Sequence, residues 1–84
     1  MKMLYFAWIR ARIGMAEEVV APPAEVRKVS DLLDWLERRG DNFATALKER
    51  RVVKVAVNQE YVDFDHPLAA GDEVALFPPV TGGH

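Results

Sequence analysis

The spacing of apolar residues divides the chain into strand-like ends and a helical middle. From Lys2 to Ile9, aromatic and aliphatic side chains occupy both alternating positions, which predicts a central strand covered on more than one side. Gly14 breaks this pattern, and Glu17 to Ala21 predicts a short second strand that ends at Pro22-Pro23. We expect these two strands to form an opening hairpin.

The clearest helix is predicted to follow Ser30. Ser30 is a suitable N-cap, and Asp31 and Asp34 suit the positive end of the helix dipole. Arg38-Arg39 suits the negative end, and Gly40 is expected in the left-handed conformation that stops a helix. The apolar stripe, with spacings of three and four, consists of Val29, Leu32, Leu33 and Leu36.

A second, shorter helix is predicted directly after Gly40. Asp41 or Asn42 would cap it, and it would continue through Lys48. The residues that it is expected to bury are Phe43, Ala44 and Leu47.

After Val52 the pattern changes to the alternation of strands. Val53, Val55 and Val57 are predicted to face one way, and Lys54 and Ala56 the other. A short strand is expected near Tyr61 to Phe64. In a final strand, Glu73 to Phe77, Val74 and Leu76 would face the helix, and Ala75 and Phe77 would face away.

The resulting order, β-β-α-β-β, predicts an α+β fold in which one main helix packs on one face of a mixed sheet. This is the β-grasp, or ubiquitin-like, arrangement. We assign residues 1–77 to this domain and residues 78–84 to an extended tail.

Composition narrows the possible functions. Among 84 residues there is no cysteine, which excludes disulfides, thiolate nucleophiles and cysteine-ligated metals. A net charge of −2 gives no reason to expect nucleic acid or a membrane surface as partner. The apolar start, Met1 to Trp8, is too short for a membrane span and lacks the flanks of a signal peptide, so a cytoplasmic location is expected.

Charge is unevenly distributed along the chain. Lys54 is the last lysine or arginine, and five carboxylates lie between it and the tail: Glu60, Asp63, Asp65, Asp72 and Glu73. We therefore expect an acidic docking end that would suit a basic groove on a partner. The alternative is an ordinary solvated rim.

The tail carries the strongest functional signal. Gly82-Gly83 lacks side chains and could enter a narrow channel, while Pro78-Pro79 favours an extended backbone before it. Four extended residues, Val80 to Gly83, would reach roughly 13–14 Å. The terminus itself is therefore a candidate reactive group inside another protein's active site.

Four stretches of sequence resemble the small subunit of molybdopterin synthase, a family of ubiquitin-like sulfur carriers. They are Tyr5 to Arg10, Val57-Asn58-Gln59, Phe64-Asp65-His66-Pro67-Leu68 with Gly71-Asp72-Glu73-Val74, and Phe77-Pro-Pro-Val-Thr-Gly-Gly83. The resemblance covers nearly the whole chain.

The resemblance implies a chemistry performed on Gly83, with Gly82 beside it. An adenylyltransferase of the ubiquitin-activating type would use ATP to adenylylate the carboxyl group, and a persulfide donor would convert it to a thiocarboxylate. The large subunit of molybdopterin synthase would accept the tail and transfer the sulfur to cyclic pyranopterin monophosphate. A heterotetramer with carriers at its two ends is implied, in which this subunit binds no cofactor or metal and supplies no catalytic side chain.

The resemblance also implies a binding surface. Phe6, Tyr61 and Phe77 match positions of the family's partner-binding surface, Arg10 matches one that engages the activating enzyme, and the tail residues Pro78, Pro79, Val80 and Thr81 lead into the partner. Core packing or ordinary surface is the alternative for Phe6, Arg10, Tyr61 and Phe77.

His84 departs from the family pattern, because it leaves no free carboxyl on Gly83. Removal by a peptidase, a remnant of cloning and an inactive copy all remain open.

Two other functions stay open. The sulfur carrier of the thiamine pathway has the same fold and terminus, although the Phe-Pro-Pro-Val-Thr and Phe-Asp-His-Pro-Leu segments favour the molybdopterin branch. A non-covalent ubiquitin-like interaction module would use the tail only as a flexible end, which His84 favours.

Overall fold

The computed structural model describes residues 1–79. In chain order the elements are β1 (Lys2–Tyr5), α1 (Ala7–Ile13), β2 (Glu17–Val19), α2 (Val29–Glu37), α3 (Asp41–Leu47), a 3-10 turn (Arg50–Val52), β3 (Lys54–Val57), β4 (Glu60–Val62) and β5 (Glu73–Phe77). None of the helices within this range is long and apolar enough to cross a membrane.

The five strands form one mixed sheet in the order β2-β1-β5-β3-β4. The central pair, β1 and β5, is parallel, and the other three pairs are antiparallel. The first and last strands of the chain therefore lie side by side in the middle of the sheet. The predicted β-grasp fold is confirmed.

The core lies on the face of the sheet that α2 covers. The predicted helical stripe of Val29, Leu32, Leu33 and Leu36 is fully buried. Alternate sheet residues meet it: Met3, Tyr5, Val55, Val57, Val74 and Leu76. The prediction for β5 is confirmed residue by residue, because Val74 and Leu76 are buried and Ala75 and Phe77 are only half-buried.

The prediction of one strand from Lys2 to Ile9 was wrong beyond Tyr5. The backbone leaves the sheet at Ala7, where φ is 54°, and then forms α1. Ile9 and Ile13, four residues apart, are the buried side chains of this helix. That spacing was the helical signal, but the aromatic residues around it also fit a strand. Gly14 does break the pattern, in left-handed backbone (φ 95°), where it ends α1.

The predicted cap of α2 was also wrong. Lys28 is the N-cap, and Ser30 lies inside the first turn. The Ser30 and Val29 amides donate to the carbonyl groups of Phe64 and His66, at 2.8 and 3.0 Å. The loop before β5 therefore satisfies the first two amides of α2, so that the N-cap lies two residues before Ser30, and the Asp31 carboxylate accepts from the Lys28 amide at 3.3 Å.

Gly40 does not adopt the predicted left-handed conformation. Its φ of 167° is extended backbone, and it is the N-cap of α3. The preceding helix instead ends in a tight turn, in which the Arg39 amide donates to the Leu36 carbonyl at 3.0 Å. Helix α3 buries Phe43, Leu47 and, in place of the predicted Ala44, Ala46.

The remaining strand predictions need small corrections. β2 ends at Val19 rather than Ala21, and β4 covers Glu60–Val62 rather than residues 61–64. Ala56 is buried although it faces away from α2, because its small side chain is flanked on that face by Tyr61 and Ala75.

A hydrogen-bonded network ties β1 and β2, which are antiparallel but connected through α1 rather than by a hairpin turn, to the residues that follow α2. The Tyr5 hydroxyl donates to Glu18 at 2.6 Å, and Arg39 donates to both Glu18 carboxylate oxygens at 2.8 and 3.1 Å. Burial, together with this carboxylate, raises the pKa of Tyr5 well above its ordinary value. Burial alone would raise the pKa of Glu18, but the bonds from Arg39 and Tyr5 outweigh it and lower that pKa.

We expect Glu18→Gln to reduce the free energy of unfolding at neutral pH by roughly 1–3 kcal/mol, because it removes a charge-assisted pair while keeping the side chain's size. Since folding lowers the pKa of Glu18, the wild-type advantage is full above the ordinary carboxyl pKa and disappears as pH falls through the folded value. Urea denaturation across this pH range measures it. Glu25→Gln is the control, because Glu25 is exposed. If Glu18→Gln is still less stable than wild type in acid, the prediction is contradicted.

Candidate partner-binding surface

The sheet has a second face, opposite α2, on which the register aligns small and aromatic side chains. One row crosses four strands as Leu4, Ala75, Ala56 and Tyr61, and a second row begins with Phe77 and Lys54. The three helices contribute their buried residues to the core on the other side. This face is therefore the part of the described sheet that is available to another molecule.

Three aromatic residues lie on this face at the end where β5 finishes. We call Phe6, Tyr61 and Phe77 the aromatic surface. The Phe77 and Tyr61 rings pack with their centroids 5.4 Å apart at 40°. The Phe6 amide donates to the Leu76 carbonyl at 3.1 Å, which extends the parallel pairing by one residue and places Phe6 beside Phe77.

Two of the three rings in the aromatic surface are exposed to water. Tyr61 is 78% exposed and Phe6 is 47% exposed, whereas Phe77 is half-buried. Aromatic rings contribute most to binding when a partner removes them from water. The two exposed rings are therefore not part of the core and are accessible to a partner.

The structure places the other predicted site residues around this surface. Arg10 is exposed on α1, and its amide donates to the Phe6 carbonyl at 3.1 Å, one helical turn away. Pro78 and Pro79 are half-buried and continue the chain from β5. Val80, Thr81, Gly82, Gly83 and His84 lie outside the described residues, so the predictions for them stay predictions.

The expectation of an acidic docking end was wrong for most of its carboxylates. Asp72 and Glu73 stand at the start of β5, about 13–17 Å of strand away from Phe77, and Glu60 pairs with Val57 near that same distant end. Lys54 instead lies directly opposite Phe77, because β3 runs antiparallel to β5. The charge prediction was wrong because these carboxylates are close to the tail in the sequence but lie at the opposite end of the sheet from Phe77.

A shallow groove of about 780 Å³ lies where β5 leaves the sheet. Its rim includes Arg51, Lys54, Tyr61, Asp63, Phe77 and Pro79. Arg50 also lines the groove, but it is held by Asp34 at 2.8 Å and by Glu37 at 2.6 Å. Of the acidic residues predicted near the tail, Asp63 is the one that lines this groove.

Comparison with known proteins identifies the family. A family model described as ThiS family matches residues 3–83 of the 84-residue chain. The chain belongs to the ThiS family. The match ends at Gly83 and leaves out His84.

Relatives of this ThiS-family chain specify the resemblance further. It is 45% identical over 82 residues to the molybdopterin synthase sulfur carrier subunit of Escherichia coli, with 98% of each chain covered. The resemblance to the small subunit of molybdopterin synthase is therefore confirmed.

Two solved structures share the fold. SAMP1 from Haloferax volcanii superimposes with a TM-score of 0.74 at 32% identity, with 99% of this chain and 98% of that one covered. A chain in the protein–protein complex of subunits 1 and 2 of the molybdopterin-converting factor from Helicobacter pylori superimposes with a TM-score of 0.63 at 25% identity, with 98% of this chain and 96% of that one covered.

Sequence reasoning missed two features of this ThiS-family surface. Lys54 was predicted to share a strand face with Ala56, but its position across from Phe77 depends on the pairing of β3 with β5. Ala56 and Ala75 lie between the larger side chains of this face. Their place on it becomes evident only when the register of the strands is known.

We expect the aromatic surface to contribute little to the stability of the isolated domain. Tyr61→Ala should change the free energy of unfolding by no more than about 1 kcal/mol, since its ring loses mainly the contact with Phe77. Leu76→Ala, on the same sheet but fully buried, should cost about 2–5 kcal/mol. Chemical denaturation of both variants is the measurement, and a comparable loss for Tyr61→Ala would argue that the ring belongs to the core.

Proposed function

We propose that this protein is the sulfur carrier subunit of molybdopterin synthase and that its Gly83 carboxyl group carries the sulfur. The observation that carries the proposal is that β5, which ends at the aromatic surface, leads directly into Pro78-Pro79 and the Gly82-Gly83 sequence. Phe77 of the aromatic surface and the reactive terminus would then belong to one continuous segment, residues 77–83. The similarity to the Escherichia coli sulfur carrier subunit over 98% of both chains supports this assignment.

The chemistry follows from the weak electrophilicity of a carboxylate. An adenylyltransferase of the ubiquitin-activating type would join AMP from ATP to the Gly83 carboxyl group and release pyrophosphate. The terminal sulfur of a donor persulfide would then attack the acyl carbon and displace AMP. Reduction of the remaining sulfur–sulfur bond by a thiol would leave a thiocarboxylate on Gly83. Since the sequence contains no cysteine, the sulfur would be carried on the main chain.

The large subunit would supply the catalytic side chains. It would cover the aromatic surface, receive the tail in its active site and transfer the sulfur to cyclic pyranopterin monophosphate. A complex of subunits 1 and 2 is known for the Helicobacter pylori molybdopterin-converting factor. We propose that this chain likewise joins a large subunit, in a heterotetramer formed in the cytoplasm, to which it contributes docking and reach but no catalytic group and no bound cofactor.

The carrier function predicts a specific change in mass. A chain ending at Gly83, incubated with the activating enzyme, ATP and a persulfide donor, should gain the mass difference between one sulfur and one oxygen atom. The chain ending at His84 should not, because Gly83 is then held in a peptide bond. Intact-protein mass spectrometry measures both forms.

Two controls make this result decisive. Omitting ATP should abolish the gain, and an established carrier should gain sulfur with the same enzymes. An unchanged Gly83 form beside a modified control would contradict the carrier function and favour a non-covalent module. A Gly83 form that supports thiazole but not molybdopterin synthesis would instead favour the thiamine pathway.

The docking role predicts a selective loss of affinity. Phe77→Ala should weaken binding of the large subunit at least about 10-fold, because a half-buried aromatic anchor beside the tail is removed. Val19→Ala provides the control, since Val19 is 81% exposed and lies on the distant strand β2. Isothermal titration calorimetry measures both affinities, and an equal effect of the two changes would contradict docking at the aromatic surface.

A further inference from the structure

Lys54 is the cationic residue placed within the outer sheet face beside the aromatic surface. It pairs directly with Phe77 across β3 and β5, and it lines the same groove as Tyr61 and Pro79. Directly opposed side chains on a sheet have Cβ atoms about 4.5–5.5 Å apart. A partner that covers the Phe77 ring must therefore also approach the Lys54 side chain.

Lys54 forms no ion pair within residues 1–79, although Asp63, one residue beyond the Val55–Val62 pair, lines the same groove. The Lys54 side chain is exposed. Arg50, on the same groove, is already held by Asp34 and Glu37, and Arg51 lies 3.4 Å from Glu49. Among the three cationic residues that line the groove, Lys54 is thus the one that a partner can engage without breaking an internal pair.

Covering an unpaired ammonium group is unfavourable. Removing a charge from water carries a large desolvation cost unless an opposite charge and hydrogen bonds replace the lost water. An entirely apolar partner surface would fit the aromatic rings but would oppose burial of Lys54. The chemistry of the surface therefore favours a partner with both an apolar patch and a carboxylate.

We propose that the large subunit presents an aspartate or glutamate to Lys54, and that this ion pair helps to determine which large subunit the carrier accepts. The inference rests on the proposed function and assigns a charge to the partner's surface. In this arrangement the aromatic residues contribute most of the contact area, and the ion pair adds orientation and selectivity.

Four proteins test the inference: wild type, Lys54→Met, Lys54→Arg and Lys54→Glu, each titrated against the cognate large subunit. Methionine keeps the length of the side chain but removes its charge. We expect binding about 10-fold weaker for Lys54→Met, about 100-fold weaker for Lys54→Glu, and within about 3-fold of wild type for Lys54→Arg. Lys48→Met, on the helical side at the end of α3, is the charge-matched control and should bind like wild type.

The salt dependence separates a charge effect from a packing effect. Between about 0.05 and 0.5 M salt, wild-type affinity should fall more steeply than that of Lys54→Met, because screening acts on the pair that methionine lacks. In the Lys54→Glu background, changing the matching acidic residue of the large subunit to lysine should restore at least about 10-fold of the lost affinity. Scanning the aspartates and glutamates of the large subunit in turn identifies it.

The outcomes distinguish this inference from the function on which it rests. If wild type binds and its Gly83 form is thiocarboxylated, but Lys54→Met binds equally well with the same salt dependence, the ion pair is refuted and the carrier function stands. Loss of affinity by Lys54→Glu for the activating enzyme alone would also refute it, since the carboxylate would then belong to that enzyme. Failure of wild type both to bind and to be modified would remove the proposed function and this inference together.

Discussion

The parallel pairing of β1 with β5 is the constraint on which the rest of the structure depends. It brings the two ends of the described chain to the centre of the sheet, where Met3 and Tyr5 join Val74 and Leu76 against α2. The strand that precedes the tail is therefore held by neighbours on both sides. A terminus that must be presented to other proteins is best positioned from such a rigid strand.

One layer of helices on one face of a sheet leaves the other face without an internal partner. In this protein that face holds Phe6, Tyr61 and Phe77 at the end from which the tail continues. Small residues, Ala56 and Ala75, fill the positions between the larger ones. The same two-layer architecture thus provides a core from one set of alternating residues and, from the other set, the face proposed to dock.

The internal polar contacts explain how an 84-residue chain keeps this arrangement. Tyr5, Glu18 and Arg39 link β1 and β2 to the residues that follow α2, and Arg50 links the start of β3 to the same helix through Glu37. Both networks lie away from the aromatic surface or at its border. The polar groups that stabilise the fold are therefore largely separate from the residues proposed to meet partners, and Lys54 belongs to neither network.

The sequence by itself determined the elements whose signal is local. The stripe of α2, the alternation in β3 and β5, and the family motifs required only neighbouring residues. Tertiary structure decided the features that depend on contacts between residues far apart in the sequence. Helix α1 replaced the end of a predicted strand. Loop carbonyl groups at residues 64 and 66 accept from the first amides of α2, so that this helix begins before Ser30. Strand direction put Lys54 rather than Asp72 and Glu73 beside Phe77. Register and strand direction are set by packing between segments, so a local pattern cannot specify them.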